Sequence, residues 1–227
     1  MATRSISFST GEFYHIYNRG TDRRIIFTDT ADYKRFIDLL YLCNSSVSVN
    51  YRNISRSGKN IFEFNRKEQL VSIGAYCLMP NHFHIIATPH TDDGLGIFMN
   101  KLCTSYSMYF NKRNERTGTL FQGNYKAKHA GEDEYLKYLY SYIHLNPVKL
   151  YQSDWVERGI KNLETAYKFV STYQYSSLPD HLGLNRPEKA VLDSSPFPDY
   201  FSSHIDMKKE LFEWLAYNTD ILKGHQS

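Results

Sequence analysis

The sequence predicts an α+β fold: a ferredoxin-like antiparallel sheet with helices on one face, plus an extra C-terminal helical region. The main observation is the order of the predicted elements, β-α-β-β-α-β followed by a helix, which is typical of such a sheet. The composition agrees, since 41% of the 227 residues are hydrophobic and 22% are charged, as in ordinary globular proteins. No apolar run approaches the roughly 20 residues that a membrane-spanning helix needs.

The N-terminal part of this pattern contains a strand, a helix and a polar segment. Residues 13–18 are aromatic and β-branched, which is typical of a strand. Residues 30–43 carry apolar side chains at helical spacing, which indicates an amphipathic helix. Residues 44–69 are polar, and we interpret them as an insertion into the core, with a short hairpin around residues 61–64.

A second hairpin and a long helix are predicted next. Residues 70–79 form a mostly apolar run of strand length, and residues 82–88 form another. Pro80 and Asn81 between them suit the central positions of a tight turn, so the two strands should pair in antiparallel fashion. Residues 94–113 carry a continuous apolar stripe, which is a strong indication of a helix.

The remaining elements complete the core and begin an extension. Residues 126–130 predict a short strand, and residues 132–145 predict a helix whose acidic first residues complement the helix dipole. We expect Pro147 to end this helix. The last regular element is a closing helix at residues 204–217.

We therefore predict two parts. Residues 10–150 form the core, with the insertion at about 44–69, and residues 151–227 form a C-terminal extension packed on it. The three cysteines are odd in number and include no C-x-x-C pair, which argues against a disulfide framework and a zinc ribbon. The first residues lack the apolar core of a signal peptide, so we expect a cytoplasmic protein with no membrane partner.

The charge is unevenly distributed. The whole chain has a net charge of +3, whereas residues 101–130 carry six basic side chains and one acidic one, a balance of +5. A basic segment in a near-neutral chain is a modest indication of a polyanionic partner. A solvated helix face explains the same charge pattern equally well, so both interpretations stay open.

The first candidate site is the His82-Phe83-His84 segment. Residues i and i+2 of a strand point to the same side, so both imidazoles face one side of the sheet. Two histidines in this arrangement can chelate one divalent ion. Histidines with this spacing are also common in cores and on surfaces, and the segment alone does not decide between these readings.

The second candidate site is on the helix before Pro147. Tyr142 and Asn146 are four residues apart and share one helix face. The amide oxygen of Asn146 can provide a hard ligand to Mg²⁺ or Mn²⁺. A tyrosine beside that ion can attack a phosphodiester and become covalently linked to the phosphate. The alternative is that Tyr142 is a packing residue, like the other tyrosines of this helix.

Together the two motifs resemble those of the single-tyrosine HUH transposases, which comprise the REP-associated tyrosine transposases and their insertion-sequence relatives. The name denotes a His-hydrophobic-His segment. The resemblance runs from about residue 12 to residue 183. The matching segments are YHIYNRG at 14–20, YCLMPNHFH at 76–84, RTGTLFQG at 116–123, YIHLNP at 142–147 and YSSL at 175–178.

This resemblance implies a ferredoxin-like core, a metal site and a reaction. His82 and His84 would bind Mg²⁺ or Mn²⁺, Asn146 would complete the metal site, and Tyr142 would be the nucleophile. Such enzymes cut single-stranded DNA, form a 5′-phosphotyrosine link and leave a free 3′-OH, without a nucleotide cofactor. Hairpins in the DNA are the usual recognition feature. Whether the protein acts as a monomer or a homodimer stays open.

Basic residues are expected to neutralise DNA phosphates. The predicted DNA-binding residues are Arg19, Arg23, Arg24, Lys112, Arg113, Arg116, Lys126 and Lys128. The chain departs from the family in one loop, where Trp often stands at the position of Phe121 and Arg at that of Asn124. Loss of that arginine removes one expected phosphate contact.

Two other functions stay under consideration. One is a domesticated nucleic-acid-binding protein of the same fold without transposition activity, because ferredoxin-like sheets also bind RNA by aromatic stacking. A pure binding protein has no need of the metal set. The other is a metal-dependent hydrolase, which is weaker because no acidic and histidine ligand cluster follows the His-x-His segment. The sequence does not decide whether His15 lines the site or is buried.

Overall fold

The protein is described by a computed structural model that covers residues 7–201 and 203–217. Four strands form one antiparallel sheet in the order β2-β3-β1-β4. The strands are β1 (Tyr14–Arg19), β2 (Val71–Met79), β3 (His82–Pro89) and β4 (Lys126–His129). The described helices are α1 (Thr30–Cys43), α2 (Tyr51–Arg56), α3 (Gly94–Arg113), α4 (Asp133–Leu145), α5 (Val148–Tyr151), α6 (Trp155–Arg158), α7 (Leu163–Ser171), α8 (Leu178–His181) and α9 (His204–Ala216).

The predicted α+β fold is confirmed. The order β1-α1-β2-β3-α3-β4 and the strand order of the sheet are those of a ferredoxin-like core. Helices α1 and α3 share one face of the sheet, where Phe36 and Phe98 pack against alternate strand residues such as Ile73 and Phe83. All four of these side chains are fully buried, so this face holds the main hydrophobic core.

Helix α4 covers the opposite face of the sheet. Its residues Leu139 and Ile143 pack on Cys77 of β2 and Ile86 of β3. The strand register shifts at Gly74, where an added Cβ atom would lie 2.5 Å from the hydroxyl oxygen of Tyr140. The absence of a side chain at this irregularity therefore lets α4 approach β2 closely.

The insertion at residues 44–69 differs in part from the expectation. It contains α2 and a 3₁₀ turn at Ile61–Glu63, so the hairpin expected around residues 61–64 is wrong. The Asn60 side chain accepts the backbone N–H of Phe62 and starts the turn, and Ile61 is buried against the core. An aromatic, alternating run thus folds into a capped turn, because no neighbouring strand pairs with it.

The chain after α4 packs around the free edge of β2. Backbone N–H groups of Ser177 and Asp193 donate to the carbonyl oxygens of Tyr76 and Ile73, at 2.9 and 3.0 Å. Helix α9 matches the predicted closing helix apart from its last residue, and its Leu211 is buried in a cluster with α4 and α7 residues. Residues 218–227 lie outside the described residues. The division into a core and an extension stays a prediction.

Within residues 7–201 and 203–217, no helix combines the length and the apolar character needed to cross a bilayer.

Candidate active site

Strand pairing places three histidines on the α4 side of the sheet. β1 and β3 are antiparallel neighbours, with Arg19 opposite His82 and Tyr17 opposite His84. Because alternate residues share a face, His15, His82 and His84 all point away from the main core. The rings of His82 and His84 meet edge to face, with centroids 5.1 Å apart.

Helix α4 brings the predicted nucleophile above these histidines. The ring centroid of Tyr142 lies 5.6 Å from that of His84 and 5.9 Å from that of His15. Asn146 is the C-terminal cap of α4 and keeps helical dihedral angles, so it stays one turn after Tyr142 on the same face. His82, His84, Tyr142 and Asn146 therefore line one cavity of about 530 Å³, although two of them are some sixty residues from the others.

Hydrogen bonds orient each of the three predicted metal ligands. The Nδ1 atom of His82 lies 2.6 Å from Oδ1 of Asn81, and Nδ1 of His84 lies 2.9 Å from Nε2 of His15. The amide nitrogen of Asn146 donates to the backbone carbonyl of Tyr142 at 3.0 Å. The two Nε2 atoms and the Oδ1 atom of Asn146 are left to coordinate an ion, and the Asn146 side chain also hydrogen-bonds with those of His82 and Tyr142.

This set of donor atoms fits a divalent ion that keeps several water ligands. Two imidazole nitrogens and one amide oxygen leave the other positions of an octahedral ion for water or phosphate oxygens. Among the described residues, no group of three His, Cys, Asp or Glu side chains is placed to hold a metal. The third protein ligand that the sequence predicts is instead the amide oxygen of Asn146.

Burial keeps the site histidines neutral near pH 7. Burial, with the positive charge of Lys128 acting in the same direction, lowers the pKa of His15 to about 4. Burial likewise lowers the pKa of His82 to about 4, with Lys149 and Arg19 acting in the same direction. The pKa of His84 is lowered well below 6.5, again mainly by burial. A neutral imidazole is the form that binds a metal ion.

Tyr142 is a half-buried phenol that stays protonated without help. Burial raises its pKa above the ordinary value of 10.0, and its hydrogen bond with Asn146 acts in the opposite direction. Its neighbour Tyr140 faces the other side of α4 and packs on Phe197, which is the packing role considered above. Tyr142 differs from it because its ring lines the cavity beside the histidines.

The cavity has a strongly positive lining. Five cationic side chains line it, and none of the lining side chains is a carboxylate. Four of them are predicted DNA-binding residues on β1, β4 and the turn after β1. The five are Arg19, Arg23, Lys126, Lys128 and Lys149. A concave surface of this charge suits a polyanion.

The other predicted DNA-binding residues do not line this cavity. Arg113 is held by Asp29 and Asp32, and its ion pair joins the end of α3 to the start of α1. Arg24 donates to the carbonyl oxygen of Thr21 at 3.1 Å. Arg116 donates to Asn111 at 2.8 Å, and Lys112 also lies outside the cavity lining. Contacts of these four with DNA stay predictions.

Sequence reasoning missed the roles of Asn81 and Lys149 and left His15 undecided. Lys149 follows Tyr142 by seven residues, which is the spacing of one helix face. As expected, α4 ends before Pro147, at Leu145, but Asn146 and Pro147 keep helical dihedral angles and the separate helix α5 follows directly. The spacing of seven was therefore the signal that could have identified Lys149.

The model of the family described as "Transposase IS200 like" matches residues 13–146, which is more than half of the chain. A search of the curated proteins found no match. Among solved structures, the chain is similar to a REP-associated tyrosine transposase bound to a REP hairpin. The two sequences are 17% identical and the TM-score is 0.49. The structural alignment covers 89% of this chain and 100% of the other. By the family match, this chain belongs to the IS200-like transposase family.

Proposed function

We propose that this transposase nicks and joins single-stranded DNA through a covalent link to Tyr142, in a reaction that depends on Mg²⁺ or Mn²⁺. The observation that carries the proposal is the shared cavity. It brings the predicted site residues, which are Tyr142, His82, His84 and Asn146, together with five cations and no carboxylate. A tyrosine in such surroundings is suited to attack a phosphodiester.

The proposed step moves one phosphoryl group. The phenolic oxygen of Tyr142 attacks the scissile phosphorus, so a bond between that oxygen and phosphorus forms while the bond to the 3′-oxygen breaks. The phenol proton ends on the 3′-oxygen, which leaves as a free 3′-OH, and the 5′-phosphate stays on Tyr142. Attack by a 3′-OH on this link reverses the bond changes and joins a strand, so no nucleotide cofactor is consumed.

The residues of the chain have separate parts in this step. His82, His84 and Asn146 would hold the metal ion, which when bound polarises a phosphoryl oxygen and stabilises the developing charge. The cations of the cavity would hold the flanking phosphates and favour the phenolate form of Tyr142. The resemblance of the motifs implies a strand that contains a hairpin as the substrate.

A covalent-capture assay tests the proposal. Single-stranded hairpin oligonucleotides from the DNA flanking the gene, labelled at the 5′ or 3′ end, are incubated with protein and Mn²⁺ or with EDTA. We expect a protein–DNA adduct on denaturing gels that needs Mn²⁺ and disappears in Tyr142→Phe. Tyr140→Phe is the matched control, because it removes a hydroxyl from the other side of the same helix.

The assay also separates the second candidate function. An adduct that persists in Tyr142→Phe would show that another residue is the nucleophile. Retarded DNA on a native gel with no adduct in any metal would favour a nucleic-acid-binding protein that has the fold without the chemistry. His82→Ala/His84→Ala should then bind DNA as the wild type does, whereas the proposal expects it to lose the adduct.

A further inference from the structure

His82 and His84 each have a hydrogen-bond partner at Nδ1. Neither partner takes part in the proposed phosphoryl transfer. For His82 the partner is Oδ1 of Asn81, at 2.6 Å. An amide oxygen only accepts hydrogen bonds, so Nδ1 of His82 must carry the proton and Nε2 must be a lone pair. The hydrogen bond thus selects one tautomer of His82, the tautomer that a metal ligand at Nε2 requires.

For His84 the partner is another histidine, and the assignment needs an argument. Nδ1 of His84 lies 2.9 Å from Nε2 of His15, and the two ring planes differ by 23°. This N···N distance is that of an N–H···N hydrogen bond, in which one ring donates and the other accepts. If His15 donated, His84 would carry its own proton on Nε2, and that atom could bind no metal.

We propose that His15 is a positioning residue that accepts the Nδ1–H of His84 and so keeps a lone pair on Nε2 of His84 in the cavity. The proposal rests on the proposed function, in which His84 is a metal ligand. His15 is 6% exposed, so bulk water does not compete for this hydrogen bond. Partners of this kind fix the ring orientation and the tautomer of metal-binding histidines.

The tautomer can be measured without any metal. The protein is labelled with ¹⁵N in its histidines, and two-bond proton–nitrogen correlation spectra are recorded near neutral pH, with His84→Gln used for assignment. We expect His84 to carry its proton on Nδ1 in the wild type and to populate both tautomers in His15→Leu. His15→Gln should restore the wild-type pattern, because its amide oxygen can accept the same N–H.

The second readout is the affinity for Mn²⁺ alone, measured by titration calorimetry or by the EPR signal of the free ion. We expect His15→Leu to weaken Mn²⁺ binding by about 10-fold or more and His15→Gln to recover most of it. His129→Leu is the matched control, since His129 is an exposed histidine of β4 that pairs with Glu12 outside the cavity. Circular dichroism checks that every variant is folded.

Two results would overturn the role of His15. One is a wild-type spectrum in which His84 carries its proton on Nε2. The other is a folded His15→Leu protein that binds Mn²⁺ as tightly as the wild type. A wild type that binds no Mn²⁺ would instead refute the metal dependence of the proposed function, and the tautomer spectra of the wild type and His15→Leu would still decide on the hydrogen bond.

Discussion

Among the cations that line the cavity, Lys149 is the nearest to Tyr142 along the chain, seven residues after it. It lines the cavity, and burial lowers its pKa below 10.5. Its charge also contributes to lowering the pKa of both His82 and His84, so it lies within electrostatic range of them. Among the described residues, no carboxylate lies within ion-pair distance of Lys149. A phosphate of the substrate is therefore a suitable partner.

We expect Lys149→Met to weaken binding of a single-stranded oligonucleotide by about 10-fold or more, because a charge-assisted hydrogen bond is worth about 1.5–3 kcal/mol. Lys149→Arg should retain most of the affinity. Fluorescence anisotropy measures the Kd, and the adduct assay measures the rate. Lys209→Met is the control, because Lys209 is an exposed residue of α9 outside the cavity. Wild-type affinity in Lys149→Met would refute the contact.

His181 allows a prediction of pH dependence away from the proposed metal site. Burial lowers its pKa below 6.5, and the charge of Lys189 acts in the same direction. Its hydrogen bond to the carbonyl oxygen of Gly74, 3.0 Å long, and the charge of Asp180 oppose this shift. The ring of His144 packs beside it, with centroids 5.0 Å apart. The net result is a histidine that is harder to protonate in the folded state than in the unfolded chain.

The unfolded chain therefore takes up the proton first as the pH falls. The stability that depends on neutral His181 is fully present above pH 6.5 and is lost progressively as the pH falls below that value. We expect the free energy of unfolding, measured with urea at several pH values, to fall less steeply in His181→Gln. Glutamine keeps a donor for Gly74 and has no charge to gain. An unchanged slope would contradict the prediction.

At the scale of secondary-structure elements, the contact between β2 and α4 positions Tyr142 above the sheet. A Cβ atom at Gly74 would lie 2.5 Å from the hydroxyl oxygen of Tyr140 and 2.9 Å from the ring of Phe197. We expect Gly74→Ala to lower the free energy of unfolding by about 1–3 kcal/mol, the usual cost of overpacking. Adding Tyr140→Phe removes the nearest atom and should recover part of that loss. Denaturation curves of the single and double variants measure both effects, and a single variant as stable as the wild type would show that α4 can move.

At the scale of the whole molecule, the positive lining predicts how DNA binding responds to salt. On a single strand, each neutralised phosphate contributes roughly −0.7 to the slope of log affinity against log salt. If each of the five lining cations neutralises one phosphate, the slope is no steeper than about −3.5. Lys126→Gln/Lys128→Gln should reduce the slope by about 1.4. Anisotropy titrations at several salt concentrations measure it.

The same anisotropy titrations with Arg113→Gln test a basic residue that does not line the cavity. Arg113 is already held by Asp29 and Asp32, and Asp32 is fully buried. We expect this variant to leave the salt slope unchanged and to lower the stability, because it leaves a buried carboxylate without its ion pair. A reduced slope would show that Arg113 contacts DNA despite that pair.

The sequence by itself determined the elements of the core and the four residues of the candidate site. Strand and helix patterns are local, since side chains repeat every two residues in a strand and about every 3.6 in a helix. The boundaries of α1 and α3 could therefore be predicted to the residue. The same local rules placed His82 with His84, and Tyr142 with Asn146, although only the family resemblance joined the two pairs.

Only the tertiary structure decided which side chains meet. It separated Lys126 and Lys128, which line the cavity, from Arg113, which is paired with two carboxylates. It brought His15 to His84 through the pairing of β1 with β3, across sixty-nine positions of the chain. It also showed that Pro147 has helical dihedral angles and that Lys149, in the helix that follows, lines the cavity. The ion pairs of Arg113 and the hydrogen bond between His15 and His84 depend on the packing of distant segments, and local periodicity holds no information about them.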